Sequence, residues 1–144
     1  MKESTTKKLE EILLNIDNEN ALDQFLKNTP HKHPLMSFAE YLQSFLNDDE
    51  QARSSLCHSS GIERTYFYHI LAGTKQPGRD KILRICIALK MSTDETQQAL
   101  RCGNQAVLYA KNMHDAVILF ALQHQLSVAD ANDLLDTYQL AVLE

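Results

Sequence analysis

Apolar residues recur at three- and four-residue spacing in one segment of this 144-residue chain after another. Between residues 80 and 90, for example, Ile82, Ile85, Cys86 and Leu89 lie at i, i+3, i+4 and i+7. That spacing places apolar side chains on one face of an α-helix. The alternation typical of strands is scarce, and Gly and Pro together number only seven. The chain is therefore predicted to be all-α, with short connections.

The predicted helices fall into three groups. Two helices, over 5–15 and 18–27, form an N-terminal extension that ends in a linker with two prolines. Five helices follow, over 37–46, 48–59, 62–72, 80–90 and 92–101. Ser37 and Ser92 are each followed three residues later by glutamate, the capping box that starts a helix. A hairpin over 112–138 ends the chain, so we expect an extension over 1–34, a domain over 35–102 and a hairpin region over 103–144.

Part of the sequence repeats with an offset of 35 residues. Residues 79–100 align without gaps on residues 114–135, and both copies are typical of a helix, a tight turn, a serine cap and a second helix. Asp80 and Asp115 are aligned, as are Ser92 and Ser127. Two copies are too few for a solenoid. The sequence indicates a helical hairpin that was duplicated, or two hairpins alike through shared physics.

Charge is distributed unevenly along the chain. The formal net charge is −5, yet residues 51–101 hold eight Lys and Arg against four Asp and Glu, a balance of +4. The segments before and after are acidic, at −5 and −4. Because phosphate binding requires local positive charge, the middle segment is the candidate for contact with a nucleic acid.

The sequence lacks the signals that are typical of several classes of protein. No apolar run approaches the roughly 20 residues that span a bilayer, and the first fifteen residues lack a signal-peptide core. We therefore expect a cytoplasmic protein without membrane contact. Cys57, Cys86 and Cys102 have no paired spacing and are expected to be reduced, buried thiols. Without a nucleophile elbow or a Gly-rich phosphate loop, no enzyme activity, cofactor or metal is expected.

The stretch SSGIERTYFYHILAGTKQP, residues 59–77, contains a helix bounded by glycines and followed by a proline. Gly61 is predicted to adopt positive φ in the tight turn before this helix, since a side chain there is costly. Cys57, four residues earlier, is a small residue where two helices cross. Ile62 is predicted to plug the core, and Phe67 and Ile70 to anchor the helix.

With this spacing, residues 38 to about 100 resemble the Cro/lambda-repressor-like (XRE-type) helix-turn-helix domains. The main signature is GIERTYFYHILAGTKQP, which ends in a glycine, a basic residue and a proline. The resemblance implies a lambda-repressor-like five-helix DNA-binding domain, whose third helix enters the major groove. Ser60 and Glu63 depart from the pattern, because that family usually has an apolar residue before the turn glycine and Ser or Thr as the cap. A carboxylate at Glu63 suits the helix dipole but repels phosphates unless it accepts from a cytosine.

The resemblance also assigns roles to side chains within and around the segment Arg53–Ala72. Base reading is implied for Arg64, Thr65 and His69. Phosphate, sugar or thymine-methyl contacts are implied for Tyr66 and Tyr68, although Tyr66 has the alternative of packing on the first helix of the domain. Phosphate contacts that set the register are implied for Arg53, Lys75 and Arg79. The alternative for this face is an ordinary solvated surface.

Two functions follow from these observations. The first is a bacterial-type, sequence-specific transcriptional regulator that binds double-stranded DNA as a homodimer through its flanking helices. The second is a protein-interaction module, adaptor or antitoxin-like, on the same fold, which the acidic flanks and Glu63 favour. The hairpin over 112–138 has two interpretations as well. Its surplus of apolar residues either extends the core over the preceding helices or forms a partner surface.

Overall fold

The computed structural model describes residues 2–28 and 36–144, and the side chains of residues 7–27 and 36–144. Every regular element among them is a helix, so the predicted all-α class is confirmed. The helices are α1 Lys2–Leu14, α2 Glu19–Asn28, α3 Phe38–Leu46, α4 Glu50–Ser60, α5 Arg64–Ala72, α6 Arg79–Ala88, α7 Thr93–Cys102, α8 Met113–Gln123 and α9 Val128–Thr137. In the described part of the chain, each helix is too short or too polar to span a bilayer.

The chain divides into two compact units, Met1–Pro34 and Leu35–Glu144. In the first unit, the Asn18 side chain accepts a hydrogen bond from the Ala21 N–H at the start of α2. A salt bridge of 2.8 Å joins Lys27 to Asp23 one turn earlier. Several apolar side chains of this unit remain exposed, among them Leu14 and Leu26. The predicted linker lies mostly outside the described residues.

Helix starts in the second unit agree with the capping predictions. Ser37 and Ser92 each form the predicted capping box, with Glu40 and Glu95. The helix predicted to begin at Ile62 begins instead at Arg64, because Glu63 is its N-cap and Ile62 is buried in the core just before it. The prediction for this helix start was therefore two residues too early.

One apolar core runs through the second unit. In its first half, α3 packs on α5 and α7, and α4 packs on α5 and α6. Phe38, Leu42 and Phe67 are fully buried where these helices meet. In the second half, α9 packs on α6 and α8 on α7, and both contribute residues such as Ile118 and Leu135 to the same core. The last hairpin thus extends the core, one of its two predicted roles.

The predicted 35-residue repeat is also a structural repeat. Gln97 exchanges two hydrogen bonds with the backbone of Leu108, and Asn132 exchanges two with the backbone of Leu143. Other hydrogen bonds also recur at this offset. Arg79 Nε donates to the Ala106 carbonyl as His114 Nε2 contacts the Ala141 carbonyl, and the turn residues Lys90 and Gln125 both have positive φ, as do Asn104 and Gln139.

Hydrogen bonds also join the two repeats to each other. The Tyr109 N–H, which follows α7, donates to Asp115 of the second repeat at 3.0 Å. The Glu144 N–H, which follows α9, donates to Asp80 of the first repeat at 3.0 Å. Each aspartate thus accepts a hydrogen bond from the backbone after the second helix of the other repeat. The two repeats are therefore related by approximate two-fold symmetry. We call residues 79–109 the first hairpin and residues 114–144 the second hairpin.

All three cysteines are free and buried, as the sequence predicts. Burial raises the pKa of the Cys86 thiol to about 12 and also raises the pKa values of Cys57 and Cys102. Their thiols are therefore neutral core groups at physiological pH.

Candidate nucleic-acid interface

Helix α5 is fixed at both ends and along its inner face. The Glu63 carboxylate caps its start, accepting from the N–H groups of Thr65 and Tyr66 at 3.0 and 2.9 Å. Those two hydrogen bonds lower the pKa of the exposed Glu63, which therefore stays ionised at neutral pH. Gly73, with φ +80°, ends the helix in the left-handed conformation. Phe67 lies on the inner face with no exposed area.

The turn between α4 and α5 has the predicted glycine geometry. Gly61 has φ +70°, and a Cβ there would lie 2.9 Å from Nη1 of Arg84. Ser60, which departs from the family pattern, is fully buried and bridges the turn: its hydroxyl donates to the Cys57 carbonyl and accepts from the Ile62 N–H. Its hydroxyl thus supplies hydrogen bonds that an apolar residue could not.

Arg84 supports this turn from behind. Its Nη1 donates to the Ser60 carbonyl at 3.0 Å, and its Nη2 donates to the Leu143 carbonyl at 2.9 Å. One guanidinium therefore ties the turn before α5 to the tail of the second hairpin. No local sequence signal predicts this role of Arg84, because its partners lie 24 and 59 residues away in the chain.

The outer face of α5 presents Arg64 and Tyr68 together. The Arg64 guanidinium lies over the Tyr68 ring, 5.1 Å from its centroid. The Tyr68 hydroxyl donates to the Glu50 carboxylate on α4 at 2.8 Å, and this hydrogen bond raises the pKa of Tyr68. Tyr68 therefore forms a fixed platform, on which Arg64 is held by cation–π attraction while its N–H groups stay unpaired among the described residues.

His69 lies one turn from Thr65 on the same face. Its Nδ1 is 2.9 Å from the Thr74 hydroxyl, and that hydroxyl donates to the His69 carbonyl. The Thr74 hydroxyl therefore lies within hydrogen-bond distance of both Nδ1 and the His69 carbonyl, and this contact orients the ring. Nε2 makes no hydrogen bond with the described residues and is the ring atom left to contact a ligand.

Three shallow clefts adjoin along α5. Two of them share Arg64, and two share Tyr68 and Ala72, so the clefts form one continuous concave surface. Besides α5, its lining includes Ser54 and His58, one turn apart on α4. The sequence analysis did not include these two residues in the interface, although their four-residue spacing within one helix is a signal that they share a face. We call this surface the α5 face.

The structure brings only some of the eight predicted contact residues together. Arg64, Thr65, Tyr68 and His69 share one cleft of the α5 face. Arg53 lines the neighbouring cleft, but Asp48 and Glu50 pair with it at 2.8 and 3.6 Å. Tyr66 is half-buried and packs against the core.

Two predicted residues lie past α5. Lys75 is exposed two residues after Gly73, and its ammonium makes no hydrogen bond with the described part of the chain. Arg79 makes four hydrogen bonds, two with the Asp115 carboxylate and two with the carbonyls of Ala106 and Val107. The guanidinium of Arg79 thus joins the two hairpins, so we leave it out of the candidate interface.

The free positive charge of residues 51–101 is smaller than their balance of +4 indicates. Of the eight Lys and Arg in this segment, only Arg64, Lys75 and Arg101 lack a hydrogen bond or salt bridge to the residues that the structure describes. Two of these three lie on or beside α5. No three His, Cys, Asp or Glu side chains among those described are placed to hold a metal ion.

Comparison of this chain with protein-family models, with curated proteins and with solved structures found no match.

Proposed function

We propose that the chain is a sequence-specific transcriptional regulator that binds double-stranded DNA. In this proposal, residues 35–102 form a Cro/lambda-repressor-like domain, and α5 is the recognition helix that enters the major groove. The observation that carries the proposal is the α5 face itself. A short helix, rigidly capped and anchored, presents an arginine with unpaired donors beside a threonine and a histidine.

Three exposed groups on or just after α5 have a partner on DNA. The Arg64 fork matches the two acceptors of guanine in the major groove. His69 Nε2 matches the amino group of adenine or cytosine when the ring hydrogen is on Nδ1, and an acceptor of guanine when the hydrogen is on Nε2. Lys75 lies where a phosphate contact would fix the register of the helix.

Glu63 limits how the start of α5 can bind. Its carboxylate already accepts from the first free N–H groups of the helix, so those groups do not hold a phosphate. Binding through this end therefore depends on side chains, chiefly Arg64, rather than on the helix dipole. This arrangement favours sequence-dependent contacts over tight non-specific binding.

A second candidate function is a protein-interaction module on the same fold. The observation that favours it is the scarcity of free cations, since Arg53, Lys81, Arg84 and Lys90 are all engaged within the chain. An ionised Glu63 beside Arg64 adds to this case.

Selection from a randomised duplex pool separates the two functions. The full chain is compared with Arg64→Ala and with Lys111→Ala, which removes an exposed cation outside the α5 face. The proposal predicts a motif that the wild type and Lys111→Ala enrich and that Arg64→Ala loses, since one arginine–guanine pair contributes about 1–3 kcal/mol. A two-fold motif would also support the predicted homodimer. Absence of enrichment at low salt would leave the protein-interaction module as the better function.

A further inference from the structure

The outer face of the second hairpin contains an apolar groove of about 240 Å³, between α8 and α9. Its lining consists of Ala116, Val117, Phe120, Leu134 and Tyr138. Phe120 and Tyr138 are 46% and 57% exposed, and Met113, one turn before Val117, is 66% exposed. Three large apolar side chains thus meet solvent on one hairpin, an arrangement that marks an interaction surface.

The first hairpin has residues that correspond to those of the groove, and there they are buried. At the 35-residue offset, Val117, Phe120 and Leu134 correspond to Ile82, Ile85 and Ala99, and these three have no exposed area.

Two helices pack against the first hairpin and bury its apolar residues. The hairpins contact each other symmetrically, through α6 with α9 and through α7 with α8. On the first hairpin, α6 packs on α4 and α7 packs on α3. The face that corresponds to the groove is therefore covered by two amphipathic helices.

The charge of the second hairpin indicates what kind of partner would bind over the groove. Residues 112–144 contain no Lys or Arg. Asp130, Asp133 and Asp136 form an exposed acidic row on α9, and none of them has a salt bridge to the described residues. A second copy on this groove would bring two such rows together, whereas a helix with basic flanks would complement the row.

We propose that this groove binds an amphipathic helix of a partner protein, with an apolar stripe flanked by Lys and Arg. The apolar stripe covers Phe120, Leu134 and Tyr138 as α3 and α4 cover the first hairpin. The basic flank faces the acidic row of α9. This site lies apart from the α5 face and does not depend on DNA binding.

A peptide of leucine and lysine alone tests the proposal. A helix of about 14 residues with leucine at helical spacing reproduces the apolar stripe and the basic flanks. A matched peptide with glutamate in place of lysine is the control. Binding of each labelled peptide to the full chain is measured by fluorescence anisotropy, and the site is mapped by amide chemical shifts.

Three variants sharpen the test. Phe120→Glu is expected to weaken binding of the lysine peptide at least about tenfold, because it places a charge in the apolar contact. The double variant Asp130→Asn, Asp133→Asn is expected to weaken it about threefold, as for exposed ion pairs. Tyr109→Glu, which replaces an exposed aromatic outside the groove lining, is the matched control and should bind as the wild type does. Thermal melting checks that each variant is folded.

Support requires three results: tighter binding of the lysine peptide than of the glutamate peptide, shifts at residues 113–138, and loss in Phe120→Glu. No binding, equal binding of both peptides, or shifts elsewhere would overturn the proposal. Self-association of the wild type that Phe120→Glu abolishes would also overturn it, because a second copy would then occupy the groove. Duplex binding by Phe120→Glu should be unchanged, so failure of this proposal is separate from failure of the proposed DNA binding.

Discussion

The two hairpins have the same internal hydrogen bonds and different outer faces. Gln97 and Asn132 hold their tails in the same way, and Asp80 and Asp115 each hold the tail of the other hairpin. Yet Ile85 is fully buried, whereas Phe120 at the corresponding position is 46% exposed. The two hairpins therefore share a backbone arrangement although only one of them is covered. The first hairpin packs against α3 and α4, whereas the second presents the corresponding face to solvent.

The largest predicted difference between the hairpins is in core packing. Ile85→Ala should lower the free energy of unfolding by about 2–5 kcal/mol, because it leaves a cavity. Phe120→Ala should lower it by about 1 kcal/mol or less, since the ring is half exposed. Urea unfolding followed by circular dichroism measures both. Equal losses would contradict the idea that only the first hairpin is covered.

The next difference concerns the two corresponding aspartates. Asp115→Asn should cost about 3 kcal/mol, because it breaks a partly buried pair with Arg79 at 3.0 Å and leaves the guanidinium without its carboxylate. Asp80→Asn should cost about 1 kcal/mol, since Asp80 accepts one backbone hydrogen bond near the surface. The same urea experiment compares them. A larger loss for Asp80→Asn would mean that the hairpin contact is not centred on Asp115.

The contribution of Asp115 should also depend on pH. Burial opposes its ionisation, but hydrogen bonds from Arg79 and from the Tyr109 N–H outweigh burial and lower its pKa. A lowered pKa stabilises the fold above the unfolded value of about 3.9, and this stabilisation is lost as pH falls through the folded pKa. The stability gap between wild type and Asp115→Asn should therefore be constant above about pH 5 and shrink as the pH falls below that, through the lowered folded pKa. A gap that did not shrink would show that ionisation of Asp115 is not what stabilises the contact.

Arg84 marks a further difference, because the second hairpin has Leu119 at the corresponding position. Arg84→Leu should cost about 1–3 kcal/mol, since the Ser60 carbonyl loses its Arg84 donor and the Leu143 carbonyl keeps only the longer hydrogen bond from Asn132. Arg101→Leu, which removes an exposed and unpaired cation of the same hairpin, is the control. Hydrogen exchange at the amides of Gly61 and Ile62 should accelerate only in Arg84→Leu. Unchanged exchange would mean that the turn does not need this support.

The smallest predicted effect is at the cap of α5. Glu63→Ser keeps a capping side chain and removes a negative charge next to the proposed DNA site. We expect the same melting temperature and about threefold tighter duplex binding, as for the loss of one exposed repulsive charge. Weaker binding would instead indicate that Glu63 accepts a hydrogen bond from a cytosine amino group.

Local signals predicted much of the fold. Caps at Ser37 and Ser92, the left-handed turn at Gly61 and the inward direction of Phe67 each follow from residues within one or two turns of the chain. The repeat offset predicted which residues of the hairpins correspond. These features depend on periodicity and backbone preference, which a sequence displays directly.

Partners that lie far apart in the chain could not be predicted. The family resemblance implied a phosphate contact for Arg79, but its carboxylate partner is 36 residues away and becomes a neighbour only when the hairpins pack. Arg84 and Glu50 were missed for the same reason, because they contact the turn and Tyr68 across helices. A count of charges along the sequence therefore overestimated the positive charge that is free to bind a phosphate.

The most direct test of the account is the salt dependence of duplex binding by the wild type and Arg64→Ala. Fluorescence anisotropy with a labelled duplex of about 20 base pairs gives the affinity of each at rising salt. The account predicts a steep fall for the wild type, weaker binding for Arg64→Ala at every salt concentration, and a Lys75→Gln slope that is shallower by about one. An affinity that does not change with salt, or identical curves for the wild type and Arg64→Ala, would contradict the assignment of α5 as a DNA-binding helix.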